Sequence, residues 1–344
     1  MPFFYTPEIS ERSHSYFAAA NTKNGFVSYF DTIFEGFDKL IIKGGPGTGK
    51  STLMKGFAKR AEDLGYSVKK YYCSSDTSSL DAVEVSEASV VLLDGTSPHA
   101  KEPQSVGARD DIVNLCDFLD KSVLKQNRER IEELSLSAKR SYEKVYSLFL
   151  SAFGIFSAYR ETVLPFVDIE RLSALSKRLA KGDFGKMKLM QKNAIGISGA
   201  IVIKQEQSFF EHRYRLSDKY FISDIFLELL KNSAIDKGLG GSFSMEPLTL
   251  TPASAEFDGG SFFSDLSLPD CDRTINLSSF VSPDIQSEKK RLGGLHKMGK
   301  EVFGKALGYL ESAGEFHAIL EDFYKKAMDF DKNEELLERL CERL

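Results

Sequence analysis

Residues 44–51 read GGPGTGKS and fill every fixed position of the phosphate-loop (P-loop) pattern G-x-x-x-x-G-K-[ST]. Glycines let the backbone bend around a phosphate, so that its N–H groups and the positive end of the following helix face the anion. In this pattern Lys50 reaches the β and γ phosphates, and the hydroxyl of Ser51 is a ligand of Mg²⁺. The sequence therefore predicts that the chain binds a nucleoside triphosphate with Mg²⁺. We assign nucleotide binding to a continuous run: Gly44, Gly45, Pro46, Gly47, Thr48, Gly49, Lys50, Ser51 and Thr52.

The residues on both sides of the loop are those that a phosphate loop requires. Residues 40–43 (LIIK) have the pattern of a short buried strand. Apolar residues after the loop recur at helical spacing until Gly65 ends the pattern: Met54, Phe57, Ala58 and Ala61. The guanine-reading pattern Asn-Lys-x-Asp does not occur in the sequence, which favours ATP over GTP.

An acidic residue follows the next strongly apolar run, residues 89–94 (SVVLLD). Asp94 is the natural second partner of Mg²⁺ because it stands at the carboxyl end of a buried parallel strand. We expect this strand beside the Leu40 strand or one removed, with residues 74–88 forming a parallel crossover too short for a further strand-and-helix unit. Gly95 stands where many motor-type ATPases carry a glutamate, so a fast power-stroke ATPase is disfavoured.

The proton acceptor or water-positioning group has four candidates near the strand ends: Asp76, Asp81, His99 and Glu102. Asp76 lies in CSSD, where small-molecule phosphotransferases often hold their base, but an aspartate among serines is equally an ordinary loop or cap residue. His99, in DGTSPH, follows Asp94 closely enough to approach the γ-phosphate, although a lone loop histidine is more often structural. The catalytic candidates are Lys50, Asp94 and Asp76.

Composition narrows the class of protein. The 344 residues, 42% of them hydrophobic, allow one large or two ordinary domains. A net charge of −5 with both signs interspersed argues against a nucleic-acid partner, and four cysteines without a C-x-x-C pair argue against a zinc site. No basic-then-apolar leader is seen, and the most apolar stretch, residues 147–159, is too short and too polar to span a bilayer. We therefore expect a cytoplasmic protein with no membrane or nucleic-acid partner.

The chain also contains an altered copy of its first part. Three segments recur at an offset of about 174 residues: 25–27 at 199–201, 40–42 at 214–216, and the helix after the loop at 224–237. NLCDF (114–118) recurs as NLSSF (276–280) at an offset of 162. In the second copy, residues 217–224 (SDKYFISD) have no glycine and no lysine at the place of Lys50. Such a loop cannot easily form an anion nest, so we expect one nucleotide per chain.

Each copy is followed by a long, charged, amphipathic region, which we call the first arm (residues 121–181) and the second arm (residues 287–344). Apolar residues in the first arm recur at helical spacing, which favours helix packing over membrane binding: Val145, Leu148, Phe149, Ala152, Phe153 and Phe156. We expect Gly154 and Pro165 to break this arm into at least two helices. Arms of this kind could report the nucleotide state to a protein partner.

Five strings of the first half are collinear over about residues 15–120: SYFAAANTKNGFVSYFD, IIKGGPGTGKSTLMK, YYCSSDTSSLDAV, VVLLDGTSPH and GARDDIVNL. Together they resemble a family of uncharacterised bacterial tandem P-loop ATPases or ATP-binding proteins. The resemblance implies two P-loop-type halves, ATP binding through residues 44–51, and Asp94 as the acid on the metal side. It implies no particular reaction. Family members typically keep a glycine-rich loop in the second half, and this chain departs from that pattern.

The sequence thus predicts an α/β fold of two duplicated P-loop NTPase-type halves with mostly parallel sheets, the second half degenerate. The predicted ranges are residues 1–190, with a core at 20–118, and residues 191–344, each including its arm. The favoured function is a slow Mg²⁺-dependent ATPase or nucleotide switch. One alternative is a small-molecule kinase whose acceptor lies at CSSD and DGTSPH; another is a non-catalytic, ATP-dependent scaffold. The acceptor, the protein partner and the oligomeric state stay open.

Overall fold

The computed structural model describes residues 3–4, 6–12, 14–98, 100–204, 210–264 and 271–344. It is an α/β protein in which two six-stranded, mostly parallel sheets repeat one arrangement. This confirms the predicted fold class at the level of two repeated α/β halves.

The first half carries the phosphate loop between a central strand and a helix. Its strands are β1 (Glu8–Glu11), β2 (Ser15–Phe17), β3 (Ala19–Thr22), β4 (Gly25–Ser28), β5 (Asp38–Lys43), β6 (Val68–Tyr72), β7 (Leu80–Val85), β8 (Val90–Asp94) and β9 (Asp110–Asn114), and its helices are α1 (Phe30–Ile33) and α2 (Lys50–Asp63). The sheet order is β2-β6-β7-β8-β5-β9, and β7 runs antiparallel to both of its neighbours. Strands β3 and β4 form a separate hairpin.

The first arm is built around one long helix. After a 3₁₀ turn (Leu115–Phe118) come α3 (Lys121–Gln126), α4 (Arg128–Val163), a second 3₁₀ turn (Leu164–Phe166) and α5 (Ile169–Leu179). Helix α4 is unbroken at Gly154, so the predicted break there is wrong. A glycine costs a helix about 1 kcal/mol, which the buried side chains of Phe149 and Phe156 in the same helix outweigh. Pro165 lies just past the helix end, where a proline is expected.

The second half and second arm repeat these elements. The half contains β10 (Met187–Leu189), β11 (Asn193–Gly196), β12 (Gly199–Lys204), β13 (His212–Ser217), α6 (Ser223–Asp236), β14 (Gly241–Met245), β15 (Pro252–Phe257), β16 (Ser261–Ser264) and β17 (Arg273–Asn276). The second arm follows 3₁₀ turns at Leu277–Phe280 and Pro283–Glu288 with α7 (Lys289–Ala327) and α8 (Asp331–Cys341). Within the described residues, no helix combines the length and apolarity that crossing a bilayer requires.

The two sheets agree strand by strand, which confirms the predicted duplication. The second sheet has the order β10-β14-β15-β16-β13-β17, with β15 antiparallel to both neighbours as β7 is in the first. Lys43 pairs with Asn114 in the first sheet, and Ser217 pairs with Asn276 in the second. Each asparagine side chain then accepts a hydrogen bond that caps the following 3₁₀ turn. The recurring NLxxF string therefore marks the end of the last strand in each half.

Strand β7 was missed in the sequence, and the predicted parallel crossover over residues 74–88 is wrong. Glu84 interrupts the apolar pattern of this strand, yet it is only 3% exposed. Its carboxylate accepts hydrogen bonds from Lys69 Nζ at 2.7 Å and from Tyr71 Oη at 2.6 Å. Because these partners satisfy the charge, an acidic residue is tolerated inside a buried strand. Strand β8 nevertheless lies directly beside β5, one of the two places expected for it.

The two arms cross from one half to the other. Helices α4 and α7 pack side by side, and the rings of Phe149 and Phe303 stack with centroids 5.7 Å apart. Backbone bridges join the ends: Leu119, just before the first arm, pairs with Met328 late in the second arm, and Val167, late in the first arm, pairs with Val281, just before the second arm. The two long helices are therefore antiparallel. The helical packing predicted from the apolar spacing of the first arm is confirmed.

Each arm ends on the half that it does not follow in sequence. Helix α5 packs against α6 of the second half, and α8 packs against α2 of the first. The apolar cluster beneath the phosphate-loop helix accordingly includes Leu336 and Leu340 from the second arm. The division between residues 190 and 191 stays a prediction. Two strand pairings cross this boundary: β10 precedes it in sequence but pairs with β14 of the second sheet, and β1 of the first half pairs with β12 of the second.

Leu336→Ala should lower the stability of the first half although residue 336 belongs to the second arm. Leu336 is 9% exposed, and truncating a buried leucine costs about 2–5 kcal/mol. Urea unfolding followed by circular dichroism measures the loss, and hydrogen exchange should show weaker protection of α2. Glu335→Ala, at an exposed position on the same helix, is the control. Unchanged protection of α2 in Leu336→Ala would contradict the exchange of helices between halves.

Candidate functional site

The phosphate loop has the backbone that its glycines predict. Residues 44–49 connect β5 to α2, and the φ angles of Gly47 and Gly49 are +71° and +86°. Other residues adopt this region only with strain, so both turns require glycine. Gly49 is the N-cap residue of α2, and no side chain caps the helix there. The first N–H groups of α2 therefore lie at the end of the loop, as an anion site requires.

Lys50 lies over the loop and reaches the acid at the end of β8. Its Nζ donates to the carbonyls of Gly44 at 3.0 Å and Gly45 at 2.8 Å, and it lies 3.6 Å from Asp94 Oδ2. The side chain of Thr48 donates to the Gly45 carbonyl at 2.8 Å. Lysine, loop and acid are therefore adjacent, as the sequence pattern requires.

Asp94 occupies a buried and partly compensated position. The side chains of Asp94 and Lys50 are each 14% exposed. Asp94 Oδ1 accepts hydrogen bonds from the backbone N–H of Thr96 at 2.9 Å and from its hydroxyl. Burial raises the pKa of the Asp94 carboxyl, and Lys50 and Thr96 counteract that effect only in part. A cation beside this carboxylate would further stabilise its charged form.

Ser51 is fixed at the start of α2 by a neighbouring strand. Its Oγ accepts a hydrogen bond from the backbone N–H of Leu80 at 3.0 Å. Thr52, the last residue assigned to the nucleotide, has an exposed side chain in the first turn of the same helix. Among the described residues no group of three or more His, Cys, Asp or Glu could hold a metal ion. The Ser51 hydroxyl and the Asp94 carboxylate are nevertheless hard oxygen donors of the type that Mg²⁺ takes when phosphates complete its shell.

The second arm packs directly onto the phosphate loop, which sequence reasoning missed. A β-carbon built on Gly45 would lie 2.5 Å from the ring of Tyr324, and one on Gly47 would lie 2.7 Å from the Glu321 carbonyl oxygen. Gly45 and Gly47 stand at positions that the motif leaves free. Glycines at these free positions indicate that another part of the chain packs closely against the loop. They do not indicate which part, because the packed element lies roughly 280 residues away in sequence.

One hydrogen bond joins the arm to the loop, and a neighbouring acid of the arm is held by partners on its own helix. Asn333 of α8 donates from Nδ2 to the Thr48 carbonyl at 3.3 Å. Glu321 of α7 lies 2.6 Å from Lys325 Nζ and 3.5 Å from His317 Nε2. These partners lower the pKa of Glu321 to about 2, the hydrogen bond with His317 contributing most. Glu321 is therefore ionised at every pH at which the protein would ordinarily be studied.

The four candidates for a proton acceptor lie in different surroundings. Asp76 caps its own turn: Oδ1 accepts from the Ser78 backbone N–H at 3.0 Å, and Oδ2 accepts from the hydroxyls of Ser78 and Ser79 at 2.9 and 3.0 Å. Glu102 pairs with Lys43 at 2.7 Å with its own side chain 77% exposed. Asp81 is 3% exposed on β7, and His99 lies outside the described residues. The geometry of Asp76 is that of a loop cap.

The corresponding loop of the second half carries its own anion. Asp218 accepts hydrogen bonds from the backbone N–H groups of Tyr220 at 3.1 Å and Ser223 at 2.5 Å. These lie where a phosphate would need donors, at the start of α6. Arg160 from the first arm donates to the Phe221 carbonyl at 3.1 Å and pairs with Asp224. The first arm therefore contacts the second loop, as the second arm contacts the first.

Comparison with known proteins adds no assignment: no family model, no curated protein and no solved structure matches this chain. The resemblance to tandem P-loop ATPases consequently stays a prediction from the quoted strings.

Gly45→Ala should destabilise the protein by about 1–3 kcal/mol, because the new methyl group overlaps the Tyr324 ring. Tyr324→Ala in the same chain should recover part of this loss, so that the two effects are not additive. Gly154→Ala is the matched control: its β-carbon would meet no described atom within 4 Å, and alanine favours a helix. Urea unfolding of wild type, Gly45→Ala, Tyr324→Ala, the double variant and Gly154→Ala measures the effect. Equal stability of Gly45→Ala and wild type would contradict the described contact.

Proposed function

We propose that the first half binds Mg-ATP and hydrolyses it slowly, as a nucleotide-dependent switch. The observation that carries this proposal is the convergence of Lys50, Ser51 and Asp94 around a glycine loop at the N-terminus of α2. Backbone N–H groups, a lysine and a helix N-terminus favour a triphosphate, and no guanine-reading pattern accompanies them.

Each residue has a role that follows from its position. Lys50 would exchange the carbonyls of Gly44 and Gly45 for the β and γ phosphate oxygens, which carry a larger negative charge. Ser51 and Asp94 would hold Mg²⁺, which neutralises phosphate charge when bound. Gly95 follows Asp94 in place of an activating glutamate, and this supports slow rather than fast hydrolysis.

The arm contact supports a switch over a simple hydrolase. Gly45 and Gly47 contact α7, and Thr48 accepts a hydrogen bond from α8. A change in loop conformation on nucleotide binding would therefore alter packing that joins the two halves. The same antiparallel helices lead to the Arg160 contact on the second loop. The arms are thus a physical connection between the nucleotide and the far half of the molecule.

The kinase alternative depends on Asp76, whose carboxylate already accepts three hydrogen bonds in its own loop. A base held in this way must first give up those donors to take a proton. This requirement weakens the kinase alternative. The scaffold alternative differs from the switch only because the scaffold would not hydrolyse ATP.

Lys50→Ala should weaken nucleotide binding about 10- to 100-fold, which corresponds to the loss of one or two charge-assisted hydrogen bonds. Titration calorimetry with Mg²⁺ and a non-hydrolysable ATP analogue measures affinity and stoichiometry, and far-UV circular dichroism checks the fold. Lys59→Ala, which removes an exposed lysine on the same helix, is the control. We expect one nucleotide per wild-type chain. Equal affinity of Lys50→Ala and wild type, or two nucleotides per chain, would contradict this assignment.

The destination of the phosphate separates the switch from the kinase. Purified protein with γ-labelled Mg-ATP should release labelled inorganic phosphate slowly without an added acceptor, and Asp76→Asn should change the rate little. Lys50→Ala provides the background. Label that moves to a small molecule in a metabolite mixture much faster than to water, and only with Asp76 intact, would replace the switch with the kinase. ATP binding without any release of phosphate would support the scaffold alternative instead of the switch.

A further inference from the structure

The two oxygen atoms of the Asp94 carboxylate have different partners. Thr96 donates to Oδ1 twice, from its backbone N–H at 2.9 Å and from its hydroxyl. Oδ2 lies 3.6 Å from Lys50 Nζ, beside the phosphate loop. Rotation of the carboxylate about χ2 would exchange the two oxygens, so two donors on one oxygen select the orientation in which the other faces the loop. Thr96 therefore fixes which oxygen of Asp94 is left for a cation.

The close return of Thr96 to Asp94 depends on Gly95. A β-carbon built on Gly95 would lie 2.3 Å from Cγ2 of Ile41, whose side chain is fully buried. Any larger residue at this position would therefore displace the turn or strand β5. The Gly95 backbone N–H donates to the Ile42 carbonyl at 2.9 Å, next to the last pair of β5 with β8. Gly95 thus has a steric reason to be glycine, and the turn that it permits brings Thr96 to the carboxylate.

Lys43, the residue before the phosphate loop, closes the segment that follows β8. Its Nζ donates to the carbonyls of Gly95 at 3.0 Å and Lys101 at 2.7 Å. The Lys101 backbone N–H also donates to the Gly95 carbonyl at 3.3 Å. Both ends of residues 95–101 are therefore held at the last residue of β5. The turn that contains Thr96 is thus attached to the strand from which the phosphate loop starts.

The Thr96 hydroxyl adds more than the turn itself needs. An aspartate commonly accepts a hydrogen bond from the backbone two residues later, and that bond alone satisfies a turn. Here a second donor reaches the same oxygen, where the side chains of Asp94 and Lys50 are each 14% exposed. A carboxylate that is already oriented loses less conformational freedom when it binds a cation. Removing a partner that orients a metal ligand commonly lowers metal affinity about 10- to 100-fold.

We propose that Thr96 is a positioning residue for Mg²⁺: its hydroxyl and backbone N–H hold Oδ1 of Asp94 so that Oδ2 faces the cation that accompanies the nucleotide. This inference rests on the proposed function of the phosphate loop. It gives the first three residues of DGTSPH one shared role, in which Gly95 permits the turn and Thr96 orients the acid. In this role they belong to the metal site and not to an acceptor pocket.

The test compares Thr96→Val, which keeps the side-chain shape without the hydroxyl, with Thr96→Ser, which keeps the hydroxyl. A non-hydrolysable ATP analogue is titrated into each protein with Mg²⁺ and again with EDTA, and the ratio of the two affinities gives the gain from the metal. Thr96→Val should lose about 10-fold of the wild-type gain, the low end of the usual range, because the backbone N–H remains. Thr96→Ser should keep the gain. Thr77→Val, the same substitution in the turn after β6, is the matched control.

The ratio separates positioning from a purely structural role, since a loss of stability weakens binding equally with and without the metal. Asp94→Asn supplies a second criterion. Because Thr96 acts through Asp94, Thr96→Val should change the ratio little in the Asp94→Asn background. Thr96→Ala, which also lacks the hydroxyl, replaces Thr96→Val if thermal unfolding shows that Thr96→Val is not folded.

Three results would overturn the proposal and leave nucleotide binding by the phosphate loop intact. These are a wild-type gain from Mg²⁺ in Thr96→Val, a loss in Thr96→Ser equal to that in Thr96→Val, and an undiminished effect of Thr96→Val in the Asp94→Asn background. A wild-type chain that binds no analogue, or that gains nothing from Mg²⁺, would instead contradict the proposed function, and this proposal with it.

Discussion

Helices α4 and α7 bury apolar faces against each other along an antiparallel pair, and the two halves of the chain are held in place by that packing. Each long helix begins beside the half that precedes it in sequence and is long enough to end beside the other half. The stacked rings of Phe149 and Phe303 lie within this contact, and backbone bridges close it at both ends. Buried residues recur in both helices at steps of three, four or seven positions over more than eight turns, and this makes the interface long enough to fix the relative placement of both sheets.

This exchange makes the phosphate loop part of an interface between halves. Its glycines serve two demands at once: Gly47 and Gly49 have the positive φ angles that a phosphate loop needs, and Gly45 and Gly47 leave space for α7. The corresponding loop of the second half differs. There the Asp218 carboxylate accepts a hydrogen bond from the backbone, and Arg160 of the first arm donates to a carbonyl of the loop. No side chain caps α2 after the first loop, whereas after the second loop the Asp218 carboxylate accepts a hydrogen bond from the first residue of α6.

Local patterns predicted much of this molecule. The sequence predicts several features correctly: the loop with its flanking strand and helix, the position of Asp94 and the duplication. Each of them depends on residues that are close in sequence or repeated at a fixed offset. Strand β7 could not be predicted in this way, since Glu84 is buried through partners on another strand. The unbroken helix at Gly154 depends on packing against α7, and the contacts of Tyr324 with the loop depend on the whole fold. Long-range packing decided every prediction that was wrong.

The exchange of α5 and α8 also has a consequence for the order of folding during synthesis. Arg60 of α2 pairs with Glu338 of α8 across 278 residues of sequence. A ribosome adds about 5–20 residues per second, so the phosphate-loop helix waits for many seconds before its covering helix exists. During that interval the apolar surface under α8 is open to water and to other chains. The first half to be translated is therefore the last to be completed, and its dependence on chaperones during that wait should exceed that of the second half.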